Sequence, residues 1–107
     1  MDENLKKIKE IILQTAKEMN IEIDKIILFG SRARGDYKED SDYDLLIVTK
    51  EKLDRKDKIR FKTKMRIIFA KEKIPVDLIV YSSQEFEERA KDVSYIAYYA
   101  SKEGVLI

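Results

Sequence analysis

Ile26-Ile27-Leu28-Phe29-Gly30-Ser31-Arg32-Ala33-Arg34-Gly35, resumed at Ser41-Asp42-Tyr43-Asp44-Leu45-Leu46-Ile47-Val48, is the stretch that decides the fold. An apolar run stops at Gly30-Ser31, a polar loop follows, and a second apolar run opens with two aspartates on either side of one residue. Strand alternation puts Asp42 and Asp44 on one face, with Cα atoms roughly 7 Å apart. Carboxylates at that spacing can hold divalent ions between them. Gly30 leaves room for a phosphate, Ser31 brings a hydroxyl, and the first N–H groups of a helical turn point outward. Carboxylates beside a phosphate cradle suggest phosphoryl or nucleotidyl transfer.

A third piece lies downstream in Pro75-Val76-Asp77-Leu78-Ile79-Val80, an apolar strand carrying one acid. Gly30-Ser31, ten intervening residues and then Asp42-Tyr43-Asp44 resembles the signature of the DNA polymerase β-type nucleotidyltransferases. The longer string through Arg34-Gly35, with Ser41-Asp42-Tyr43-Asp44-Leu45, resembles the minimal branch of that superfamily, the MntA-like antitoxins of HEPN/MNT toxin–antitoxin pairs. Glu103-Gly104-Val105 is similar to that branch's usual ending. The resemblance runs from about Ile26 to Ile107. Gly-Ser alone is weak; with a spaced Asp-x-Asp and a later strand aspartate it is specific. A lone strand aspartate most often faces solvent, so the set, rather than any one acid, carries the reading.

Composition narrows the chemistry from the other side. The chain has 107 residues, and neither cysteine nor histidine. Disulfides, thiolate nucleophiles, zinc–cysteine sites and the usual imidazole base are therefore excluded. The carboxylates that remain suit Mg²⁺ or Mn²⁺. The net charge of +1 hides an uneven distribution. Residues 50–73 hold eleven Lys/Arg against four Asp/Glu, while residues 36–44 hold five acids and one lysine. The basic run reads first as a solvated helix and loop, next as a surface for an acidic partner, and direct nucleic-acid binding is not expected. No apolar run is long enough for a membrane span and no signal peptide is visible, so the expectation is a cytoplasmic protein with no membrane partner. Residues 1–107 are read as a single nucleotidyltransferase domain, with no length left for an acceptor-recognition domain.

Along the chain, Leu5, Ile8, Ile12, Thr15, Ala16 and Met19 recur at helical spacing and predict a helix over about residues 3–20. Strands are expected over 25–29, 44–49 and 76–81, with a helical turn at Ser31–Arg34 closed by Gly35 in the αL position. A helix over about 55–72 is expected to bury Ile59, Thr63, Ile67 and Ala70. Ser82 and Glu85 have capping-box spacing for a helix over 83–91. Asp92 is expected to cap a last helix over 93–102, apolar nearly all round, before Val105–Ile107 pairs at an edge. The fold class is therefore α/β (mixed α+β): a small mixed sheet flanked by helices. The resemblance implies the same nucleotidyltransferase core.

The resemblance also implies a mechanism. Asp42, Asp44 and Asp77 would be catalytic and would hold two Mg²⁺ ions. Gly30, Ser31 and Arg34 would bind the phosphates of ATP, and Arg34 fits the family string better than Arg32. The implied activity is transfer of AMP from ATP to a tyrosine of a HEPN-domain RNase toxin, which makes the chain an adenylyltransferase antitoxin in a hetero-oligomer. Two alternatives stand beside it: a small-molecule, aminoglycoside-like nucleotidyltransferase, and an antitoxin that acts by binding alone. Two other motifs fail. Gly30 to Gly35 has P-loop spacing, but Asp36 stands where the lysine belongs. Arg34-Gly35-Asp36 spells an adhesion tripeptide without a secretion signal.

Overall fold

The computed structural model describes residues 3–107. The chain runs through α1 (Glu3–Glu18), β1 (Ile23–Phe29), α2 (Ser31–Arg34), β2 (Tyr43–Thr49), α3 (Arg55–Lys71), β3 (Val76–Ser82), α4 (Ser83–Arg89), α5 (Ile96–Glu103) and β4 (Val105–Leu106). The four strands form one mixed sheet in the order β3-β2-β1-β4. The β1 strand is antiparallel to both β2 and β4, and β2 is parallel to β3. The parallel pair needs a crossover, which α3 supplies. Among the described residues no helix is long and apolar enough to cross a membrane.

The sheet is covered on both faces because its central strands are apolar on both faces. Ile26, Leu28, Leu45, Ile47, Leu78 and Val80 pack with Ile8 and Ile12 of α1 and with Phe61, Met65 and Phe69 of α3. Ile27, Leu46 and Val48 pack on the other side with Phe86 of α4 and Ala97 and Ala100 of α5. The α1 stripe is as its spacing predicts, with Ile8, Ile12, Thr15 and Ala16 buried.

The inward face of α3 differs from the expectation. Ile59 and Ile67 are 53% and 52% exposed, while Phe61, Met65 and Phe69 are buried. Two apolar stripes compete on this helix, and the one with two phenylalanines and a methionine removes more apolar surface from water. Its start is also clearer than the sequence suggested: the Asp54 carboxylate accepts from the Asp57 backbone N–H at 2.8 Å, an N-cap. At α4 the expected capping box forms, with Ser82 N–H donating to Glu85 Oε1 and Glu85 N–H donating to Ser82 Oγ. Asp92 does not cap a helix. It accepts from the N–H of Ser94 through its side chain and of Tyr95 through its carbonyl, and α5 begins only at Ile96. An Asx turn has taken residues that the periodicity assigned to the helix.

Candidate active site

Register pairing sets the site. Phe29, Asp44 and Asp77 are Cα partners in one row across β1, β2 and β3. Neighbouring strands lie about 4.8 Å apart, so the two acids sit side by side. Alternation places them with Leu46 and Ile79 on the α4/α5 face, just past the end of its apolar cluster. Asp42 lies one residue ahead of β2, in the loop rather than on the strand. Asp44 is partly buried, whereas Asp42 and Asp77 are exposed. Burial holds the Asp44 carboxyl above its ordinary range; the charges of Asp77 and Asp42 push the same way, and Arg34 opposes them. Asp44 therefore senses both other acids of the motif. Among the described residues no three acids are drawn tightly enough to cage a metal ion.

Gly30 is built into this row. It sits at φ 71°, ψ −157°, directly after β1 and before α2. A Cβ here would run into the Asp44 carboxylate, whose Cγ would stand only 3.1 Å away. The glycine thus serves the acid as well as the turn. The α2 turn is closed by Gly35 at φ 89°, ψ 2°, whose N–H donates to the Ser31 carbonyl. Ser31 is half-buried at the first position of α2, so Gly30 and Ser31 lie at the end of β1 as expected.

The two arginines of the turn divide their work. Arg32 donates to the Ser41 carbonyl from Nε (3.1 Å) and Nη2 (2.9 Å), and from Nη2 to the Glu39 carbonyl (3.0 Å). Its guanidinium stacks 4.3 Å from the rings of both Tyr37 and Tyr43. Arg32 therefore ties down the loop that delivers Asp42, a role no motif in the sequence announces. Arg34 reaches outward to Asp36 (3.4 Å) and Glu103 (3.6 Å), both half-exposed pairs. Exposed ion pairs are weak, so Arg34 can turn to an anionic ligand, and its charge already acts on Asp44.

Comparison with known proteins fits this geometry. The nucleotidyltransferase domain family matches residues 5–106. A relative from Methanocaldococcus jannaschii, named "putative protein adenylyltransferase MJ0141", is 47% identical over 53 residues, covering 46% of this chain. That match spans only 54% of the relative's length. A solved structure described as a "putative minimal nucleotidyltransferase" superposes with a TM-score of 0.62 at 26% identity, covering 100% of this chain and 97% of its own. A toxin–antitoxin crystal structure with AMP-PNP shares the fold, with a TM-score of 0.54 at 18% identity over 91% of this chain and 69% of its own. With the family matched over nearly its whole length, and with the Gly30 turn, Asp44 and Asp77 adjoining in one row, the chain belongs to the nucleotidyltransferase domain family.

Proposed function

We propose that the chain transfers AMP from ATP to a tyrosine hydroxyl of a partner protein, a HEPN-domain toxin, and so acts as its antitoxin. The observation that carries the reading is the pairing of Asp44 with Asp77 beside the Gly30-Ser31 turn. The adenylyltransferase name of the M. jannaschii relative supports the nucleotide and a protein acceptor. The toxin–antitoxin neighbour with AMP-PNP supports the kind of partner.

In this reading the N–H groups after Gly30, the Ser31 hydroxyl and Arg34 grip the β- and γ-phosphates. The tyrosine oxygen attacks the α-phosphorus. An O–P bond forms, the bond from the α-phosphorus to the bridging oxygen breaks, pyrophosphate leaves, and the hydroxyl proton passes to solvent. Asp42, Asp44 and Asp77 offer only hard oxygen donors in a chain without cysteine or histidine, which fits Mg²⁺. Asp42, Asp44 and Asp77 would hold such cations, which would supply charge neutralisation at the phosphates and would ease loss of the hydroxyl proton. The raised Asp44 carboxyl fits a site whose negative charge needs a counter-charge.

The test is mass spectrometry of the product of the neighbouring gene, incubated with this protein, ATP and Mg²⁺. The expected result is a gain of one AMP residue or a small multiple on tyrosine, absent with Asp44→Asn or Asp77→Asn. A toxin neutralised without any change in mass would replace this reading with neutralisation by binding alone.

A further inference from the structure

Lys58, Lys62 and Arg66 occupy successive turns of α3, at i, i+4 and i+8, so their side chains form one row. Each step along the row is about 6 Å. The row flanks the buried Phe61-Met65-Phe69 stripe and runs beside β3, an edge strand of the sheet. Two observations fix its direction. The Lys58 ammonium stands 5.7 Å from the centre of the Tyr81 ring, near the far end of β3. The short connection over residues 72–75 brings the end of α3 back to the start of β3, where Asp77 stands, and the charge of Asp77 reaches Lys62, one turn on from Lys58. The row therefore starts beside Tyr81 and leads to Asp77, an acid of the candidate site.

Three cations in line repel one another. Burial holds the Lys62 ammonium below its ordinary range, the like charges of Arg66 and Lys58 push the same way, and Asp77 alone acts against them. Among the described residues neither Lys62 nor Arg66 has a carboxylate within salt-bridge distance. The loop that leads into β2 has the opposite sign, with Asp36, Glu39, Asp40 and Asp42 close together in sequence. An anionic segment is thus attracted by the α3 row and repelled by that loop.

We infer that the Lys58-Lys62-Arg66 row is the docking track for an acidic segment of the acceptor protein, which it leads to Asp77. The inference rests on the proposed AMP transfer to a protein, because that reading makes the occupant of this side a polypeptide rather than RNA. Carboxylates spaced along an extended segment complement the row, and its hydroxyl-bearing residue then arrives where Asp77 stands.

Binding needs no catalysis and is measured directly on the intact chain. The probe is a fluorescein-labelled glutamate–tyrosine copolymer, followed by anisotropy without nucleotide or metal. The expected result is binding that weakens about tenfold in Lys62→Glu/Arg66→Glu and falls with added salt. Lys6→Glu/Lys17→Glu on α1 lowers the net charge by the same amount and should leave binding near the wild-type value. Thermal stabilisation by Mg-ATP should be the same in all three proteins. Equal binding by the α3 variant, equal loss in the α1 variant, or tighter binding of single-stranded RNA than of the copolymer overturns the track. So does loss of the Mg-ATP response in the α3 variant, which would assign the row to the nucleotide. A chain that binds the copolymer in the expected pattern, yet leaves its toxin's mass unchanged, keeps the track and refutes the transfer reading.

Discussion

Replacing Gly30 by alanine tests whether this glycine serves the turn alone or also makes room for Asp44. Two costs apply. Gly30 holds φ 71°, ψ −157°, a region that other residues enter at about 1–3 kcal/mol. The new Cβ would also overlap the Asp44 carboxylate, with Cγ only 3.1 Å away. Pushing that side chain off its rotamer costs about 0.5–1.5 kcal/mol. Together they predict a loss of about 1.5–4.5 kcal/mol. For a domain near 100 residues each kcal/mol lowers Tm by about 4–8 °C, so the variant should melt at least about 6 °C below wild type. The two costs separate in a double-mutant cycle. In an Asp44→Ala background the overlap is gone and the backbone cost remains, so Gly30→Ala should cost about 0.5–1.5 kcal/mol less there than in wild type. Urea unfolding followed by circular dichroism, in EDTA, measures both arms. A cost of Gly30→Ala below about 1 kcal/mol refutes the backbone argument. An equal cost in both backgrounds refutes the steric one.

Three further outcomes are expected. Asp44 has its carboxyl raised above 3.8, chiefly by burial and then by Asp77 and Asp42; the folded chain therefore holds this proton longer than the unfolded one, and ionisation destabilises the fold as pH rises through that range. In EDTA, Asp44→Asn should thus be more stable than wild type at neutral pH, and the gap should close as pH falls toward the ordinary carboxyl value of 3.8; a gap that is absent at pH 7, or widens in acid, counts against the shift. Arg32→Lys keeps the charge but loses the fork that reaches the Ser41 and Glu39 carbonyls, so amide exchange in residues 38–42 should speed up by an opening cost of about 1–3 kcal/mol; unchanged exchange there means the loop is held by something else. Ser82→Ala removes one half of the α4 capping box and should cost about 1 kcal/mol in urea unfolding; a cost near zero shows that Glu85 alone caps the helix.

The sequence made the site more legible than the helices around it. Gly30, Ser31, Asp44 and Asp77 stand at strand ends because runs such as Ile26–Phe29 and Leu45–Val48 admit no other local reading, and a strand's end is where a polar residue can meet solvent. On α3 the sequence carries two apolar stripes about 155° apart, on nearly opposite faces of the helix, and period alone cannot choose between them. The choice belongs to the sheet, which takes Phe61, Met65 and Phe69 and leaves Ile59 and Ile67 outside. Arg32 was undervalued for a related reason. Its partners are the backbone carbonyls of Glu39 and Ser41 and two tyrosine rings, and carbonyls leave no trace in a sequence.

Gly30 and Asp44 show why a spaced motif can be more than two adjoining requirements. Gly30 follows β1 and Asp44 lies on β2, yet the antiparallel return from β1 to β2 sets Asp44 against the end of β1, and the carboxylate then occupies the space a Cβ would fill at Gly30. The intervening loop fixes that register from outside, through Arg32 and the Ser41 carbonyl. A change in loop length would move Asp44 away from both Gly30 and Asp77, since a one-residue slip turns every side chain of β2 to the other face. The Gly30 turn and the acid pair are therefore one steric unit: the glycine that shapes the turn also admits the carboxylate that stands beside it.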